Sequence, residues 1–162
     1  MVSLKKLILV RHAKSSWEFN VQDIERPLSN RGLSDAKLMS IFLKGLNIEI
    51  DHIYTSNSKR TLQTSQIFIK NLELHEVPIN ENEILYDFSG EKVESFIRAI
   101  PSNLNTVIIF THNNSCTNLL EKFAGLSKHV PTCGILIFDF DVSLWDEIDT
   151  GKCDFYFPKH LK

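Results

Sequence analysis

Leu7-Ile8-Leu9-Val10 runs straight into Arg11-His12, and much further along Val107-Ile108-Ile109-Phe110 runs into Thr111-His112. A short apolar, β-branched run with polar neighbours reads as a strand buried on both faces, as in a parallel sheet. Each histidine then falls just past the carboxyl end of its strand. Open α/β sheets bind ligands at that edge. The two distant histidines are therefore expected to share one site, with Arg11 supplying positive charge.

Outward from these strands, strand and helix patterns alternate, the order of an α/β layered fold. The first strand is expected over about 6–11. Ser29 or Ser34 caps a helix with Leu38, Ile41, Phe42 and Leu46 on one side and Gly45 near its end. A short strand covers 51–55. Ser56 or Ser58 then starts a helix to about Leu72, with Leu62, Ser65, Phe68 (or Ile69) and Leu72 facing inward. Ile84-Leu85-Tyr86 reads as a weak strand or extended loop, and 91–100 as a helix stopped before Pro101. A helix follows His112 to about Phe123, and 134–140 with 142–148 reads as a terminal hairpin or edge pair. No repeat, linker or low-complexity segment interrupts the 162 residues, so one domain over 1–162 is expected.

Composition narrows the function. Hydrophobic content of 43% and charged content of 23% are those of an ordinary globular protein. A formal charge of −2 gives no general attraction to nucleic acid or an anionic membrane, so affinity for phosphate must come from a local cluster. Cys116, Cys133 and Cys153 show no CxxC spacing. They read as small buried hydrophobes of a protein in the reducing cytoplasm, without disulfide or zinc. The apolar run after Lys5-Lys6 is too short for a signal peptide, and no stretch approaches a membrane span.

The chemistry rests on few residues. A neutral imidazole attacks phosphorus or binds metal, and an adjacent arginine offers a planar fork matched to phosphate oxygens. The bland reading of His12 is a loop histidine bonded to backbone. No HxH, HExxH or carboxylate cluster completes a metal set, and neither a GxSxG elbow nor a Walker loop is present. A metal-free, basic oxyanion site remains. Arg60 falls in the first turn of the helix started by Ser56-Asn57-Ser58, where a cation opposes the helix dipole unless an anion binds there too. Arg26, held extended by Pro27, can reach the site mouth or pair with Asp23 or Glu25 in its own loop.

Four segments, in this order, resemble the histidine phosphatase superfamily with its phosphoglycerate mutase-like fold, and most of all the SixA-type phosphohistidine phosphatases: LVRHAKSSW (9–17), RPLSNRG (26–32), IYTSNSKRTLQT (53–64) and VIIFTHNNS (107–115). The resemblance implies a three-layer α/β/α architecture with a mostly parallel central sheet. His12 would be the nucleophile, carrying a transient phosphoryl group, with Arg11, Arg60 and His112 around that group. Ser15 or Ser16, Arg26 and the N–H of Asn113 would assist substrate binding. No cofactor or metal is implied, and a phosphate or sulfate ion is the expected occupant. The chain departs from the commonest Arg-His-Gly motif at Ala13, which requires a backbone that avoids positive φ there. Larger members use a carboxylic acid before the last catalytic strand. Asp87 stands nearest to that position, with Glu83 and Glu91 weaker candidates and an exposed loop carboxylate the alternative.

A weak acid position carries substrate information. An alkoxide leaving group needs a proton donor, whereas an imidazole, with a pKa near 6.5, needs less help. The segment between Arg60 and His112 is short, so the site should be open enough for a phosphohistidine displayed on a protein. The expected function is a metal-independent phosphatase of protein phosphohistidine. Alternatives are a phosphatase of small phosphate monoesters and a non-catalytic module binding phosphorylated ligands.

Overall fold

The computed structural model describes residues 5–162. Six strands form one sheet: β1 (Lys5–Arg11), β2 (His52–Thr55), β3 (Ile79–Glu81), β4 (Thr106–Thr111), β5 (Ile135–Phe140) and β6 (Lys152–Tyr156), in the order β3-β2-β4-β1-β5-β6. The β1–β4, β4–β2 and β2–β3 pairings are parallel, and β5 runs antiparallel to both β1 and β6. The sheet is thus mostly parallel.

Side chains alternate across β1 and β4, as period 2 demands. Ile8, Val10, Ile108 and Phe110 face α1 (Asn30–Gly45) and α2 (Lys59–Leu72), against Ala36, Met39, Leu43 and Phe68. Leu7, Leu9, Val107 and Ile109 face α3 (Glu91–Arg98) and α4 (Ser115–Ala124), against Val93, Ile97, Leu120 and Phe123. Both faces of the central strands are covered, which explains why their sequences are continuous apolar runs. The result is the expected α/β/α sandwich. A short α5 (Pro158–Leu161) closes the chain.

Three details differ from the sequence reading. The terminal hairpin pairs β5 with β6, while 142–148 is a connection around a 3₁₀ turn at Trp145–Glu147. Trp145 makes that stretch look like a strand, but its side chain plugs the core and its Nε1–H donates to the Leu104 carbonyl at 2.7 Å. Glu83–Leu85 is likewise a 3₁₀ turn, and the edge strand lies earlier, at β3. Ser29 caps α1, accepting from the Gly32 N–H, and the inward face is Gly32, Asp35, Ala36, Met39, Ser40 and Leu43. Ile41 is 53% exposed. The face is set by close packing on α2, where Asn71 donates to the Ser40 hydroxyl, and not by the largest apolar residues.

Adjacency of β1 and β4 positions the site. Beyond β1 the chain turns to α1 on one face; beyond β4 it turns to α4 on the other. The two connections diverge and leave a crevice at the carboxyl edge.

Candidate active site

His12 and His112 come together at this edge of the sheet. The His12 N–H continues the ladder by donating to the Thr111 carbonyl at 3.0 Å, and the two rings lie 5.3 Å apart. Ala13 is buried, outside the positive-φ residues, and its N–H donates to the Thr64 hydroxyl. The backbone condition set by an alanine at this position is therefore met.

The His12 ring is oriented by its own loop. Nδ1 lies 2.7 Å from the Ala13 carbonyl oxygen, which only accepts, so Nδ1 carries the proton. That leaves Nε2 as the unprotonated nitrogen, which accepts from the Arg60 Nε–H at 3.3 Å. Burial pushes the His12 pKa down to about 3; Arg60, Arg11 and Arg26 push the same way against the opposing Ala13 bond. His12 is a neutral imidazole at neutral pH. His112, fully buried, has Nε2 2.8 Å from the Ser56 hydroxyl and Nδ1 3.4 Å from an Arg60 guanidinium nitrogen. Since the guanidinium only donates, Nε2 of His112 bears the proton. Burial, then His12 and Arg60, lower its pKa to about 2. Tyr86 and Phe88 flank its ring at 5.0 Å each.

Arg60 is the hub. Ser58, and not Ser56, caps α2, which places Arg60 in the first turn and turns it fully inward. Its guanidinium reaches His12, His112 and Asp23, donating to the Asp23 carbonyl at 2.6 Å and to its carboxylate at 2.9 Å. An anion at this helix start relieves a cation's conflict with the dipole, and here Asp23 is that anion. Arg26 does both things open to it. It pairs with Asp23 at 2.9 Å, and it lines the cavity, bonded to the Ser15 hydroxyl and stacked 3.7 Å over the Trp17 ring. Arg11 donates to the Val130 carbonyl at 2.8 Å, and its buried Nε has no acceptor among the described residues.

Arg11, His12, Ser15, Arg26, Arg60 and Asn113 line one cavity of about 470 Å³, together with Lys14, Trp17, Asp23, Phe88 and Thr132. His112 is not among the lining residues; it is fully buried and meets the cavity wall through Arg60 and His12. Ser16 does not line the cavity; its hydroxyl accepts from the Glu18 N–H and its own N–H donates to Pro27. Among the described residues no three His, Cys, Asp or Glu side chains cluster as a metal set requires.

Asp87 is not brought to the cavity either. One carboxylate oxygen accepts from the N–H groups of Gly90, Lys92 and Val93, and the other from Ser89, so the carboxylate caps α3. Burial alone would raise its pKa, but these donors prevail and hold it below the usual carboxylate range. Glu83 and Glu91 also lie outside this cavity. The carboxylate that does line it is Asp23, which the sequence suggested only as an ion-pair partner for Arg26. Burial would raise its pKa too, yet hydrogen bonds from Tyr86, Arg26 and Arg60 drive it well below the usual range.

A family model, the histidine phosphatase superfamily (branch 1), matches residues 7–94. An uncharacterised chloroplastic protein of Arabidopsis thaliana is 25% identical over 88% of this chain and 70% of its own length. The protein histidine phosphatase SixA, in complex with tungstate, superposes with a TM-score of 0.82 at 21% identity, covering 97% of this chain and 99% of that one. A phosphoglycerate mutase from Bacillus anthracis gives 0.69 at 16% identity, covering 94% and 93%. At these identities the structural likeness is one of fold, and that fold is phosphoglycerate mutase-like.

Proposed function

Since the chain belongs to the histidine phosphatase superfamily, we propose that it is a metal-independent phosphatase whose substrate is phosphohistidine on a protein. The observation that carries the reading is the His12 tautomer: the Ala13 carbonyl holds the proton on Nδ1, leaving Nε2 unprotonated beside Arg60 in the wall of the arginine-lined cavity.

In the first step Nε2 of His12 bonds to phosphorus as the P–N bond to the substrate imidazole breaks. That imidazole, protonated on its other ring nitrogen, leaves with the electron pair as a neutral group. In the second step water attacks phosphorus, the bond to His12 breaks, the electron pair returns to Nε2, and orthophosphate departs. Charge spreads over the equatorial phosphoryl oxygens in both transfers, so positioned cations do most of the work. Arg11, Arg60 and Arg26 provide them, assisted by Ser15 and the N–H of Asn113, and His112 steadies Arg60. Loss of the Arg60 guanidinium is expected to cost roughly 10²–10³ in rate.

The preference for P–N over P–O cleavage follows from the acids. Asp87 is committed to α3, and Asp23 is held ionised by two arginines and Tyr86. Neither has a proton to give an alkoxide, whereas an imidazole already protonated on its other ring nitrogen needs no acid from the protein. The tungstate bound by the SixA protein supports a phosphate-like occupant. Three free cysteines, two of them buried, agree with a reducing compartment such as the cytoplasm. No helix among the described residues is long and apolar enough to cross a membrane.

A substrate panel tests the reading. Histidine-phosphorylated peptide should be turned over at least tenfold more efficiently than sugar phosphates or p-nitrophenyl phosphate. Fast hydrolysis of sugar phosphates beside inert phosphohistidine would make it a monoester phosphatase. Tight phosphate binding without any turnover would make it a binding module.

A further inference from the structure

Thr132 is a wall of two cavities. One is the phosphoryl cavity; its neighbour, of about 400 Å³, has a floor of Pro131, Phe157 and Pro158. Exposed cations rim this second cavity: Arg31, Lys128 and Lys159. Its one carboxylate, Asp35, is buried and already met by Lys162 at 2.9 Å and Arg31 at 3.6 Å. Lys128 and Lys159 have no carboxylate within ion-pair distance among the described residues.

Charge on this molecule is therefore segregated. Seven of its 18 lysines and arginines line the two joined cavities, against two of its 20 acidic residues, in a chain of net charge −2. One phosphoryl group needs only the cluster around His12. The second set of cations lies outside that cluster, and two of them, Lys128 and Lys159, have no carboxylate partner among the described residues, which suits anionic groups carried by the rest of the substrate. The far rim identifies the kind of substrate. Trp17, 78% exposed, and Phe88, 45% exposed, stand at the open mouth of the phosphoryl cavity. A small molecule is held by walls that enclose it. Exposed aromatic side chains beside arginine are instead what a protein partner packs on.

We propose that the Arg31–Lys128–Lys159 groove is a docking surface for an acidic segment of the phosphorylated protein, seated while its phosphohistidine enters beside Thr132. This rests on the protein-phosphohistidine reading above. Complementary charge there speeds encounter and selects among phosphoproteins.

Two histidine-phosphorylated peptides of equal length test it, one with glutamates flanking the phosphohistidine and one with glutamines. The readout is the ratio of their kcat/KM values, in which any change common to both cancels. The wild-type protein should favour the glutamate peptide about tenfold at low salt. The preference should fade toward unity near about 0.5 M salt. The double variant Lys128→Glu/Lys159→Glu should abolish or invert it. A wild-type ratio near one overturns the proposal, as does a preference that survives in the double variant. Turnover of both peptides without preference removes the docking surface and leaves phosphohistidine as substrate. Inert peptides beside rapid hydrolysis of small phosphates remove both.

Discussion

Asp23 and Asp87 reverse the roles their positions in the chain suggest. Asp87 sits where a catalytic acid is sought, yet its carboxylate is bound by the first turn of α3. Asp23 lies in the connection between β1 and α1, yet it holds Arg26 and Arg60 and accepts from Tyr86. Substitution should separate them. Asp87→Ala is expected to lower stability by about 1–2 kcal/mol, the usual cost of a lost helix cap. Asp23→Ala should reduce kcat/KM by about 10- to 100-fold, because the two guanidinium groups lose their anchor, whereas the Asp87 variant should keep kcat/KM nearly unchanged. Urea unfolding and steady-state kinetics on both variants check this; a stable, inactive Asp87→Ala would restore it as the acid. Sequence made His12 and His112 legible because an apolar run announces each. Asp23 was not legible in the same way, since its partner Arg60 is brought to it only by the fold.

At the level of elements, the parallel core was readable wherever burial on both faces left unbroken apolar runs, as in β1 and β4. It was misread where one large side chain mimicked a pattern, as Trp145 does in the loop between β5 and β6, and where close packing replaced large apolar side chains, as on α1. The start of α1 shows why. A Cβ on Gly32 would lie 2.1 Å from the Lys14 carbonyl oxygen, which also accepts the Ser29 N–H at 2.9 Å. Helix and histidine loop are in backbone contact there. Helix propensity alone makes Gly→Ala favourable by about 1 kcal/mol. Packing makes Gly32→Ala unfavourable by about 1–3 kcal/mol, and it should also slow turnover by displacing the loop that carries His12. Thermal unfolding with a kinetic assay decides; a stabilised, fully active variant contradicts the close approach.

For the whole molecule, two neutral histidines in the interior give stability a definite pH dependence. Their folded-state pKa values, about 3 for His12 and about 2 for His112, lie below the value near 6.5 of an unfolded chain. Above that value neither state binds the proton. As pH falls below it, the unfolded chain takes up protons that the folded one refuses, so stability falls by up to about 1.4 kcal/mol per pH unit for each histidine. Asp23, Asp87 and Glu94, all held below the carboxylate range, add loss in the same direction below about pH 4. Calorimetry from pH 7 to 5 should therefore show a falling Tm, shallower in His112→Asn; a flat profile would mean the histidines are not kept neutral. The central claim, that the fold exists to offer one neutral imidazole nitrogen to phosphorus, is tested most directly by trapping the phosphoenzyme. A brief pulse of ³²P-phosphoramidate, quenched in base, should leave label that is stable to base, labile to acid, and located on His12, with none in His12→Ala. Equal labelling of His12→Ala, or label on His112, would contradict the account.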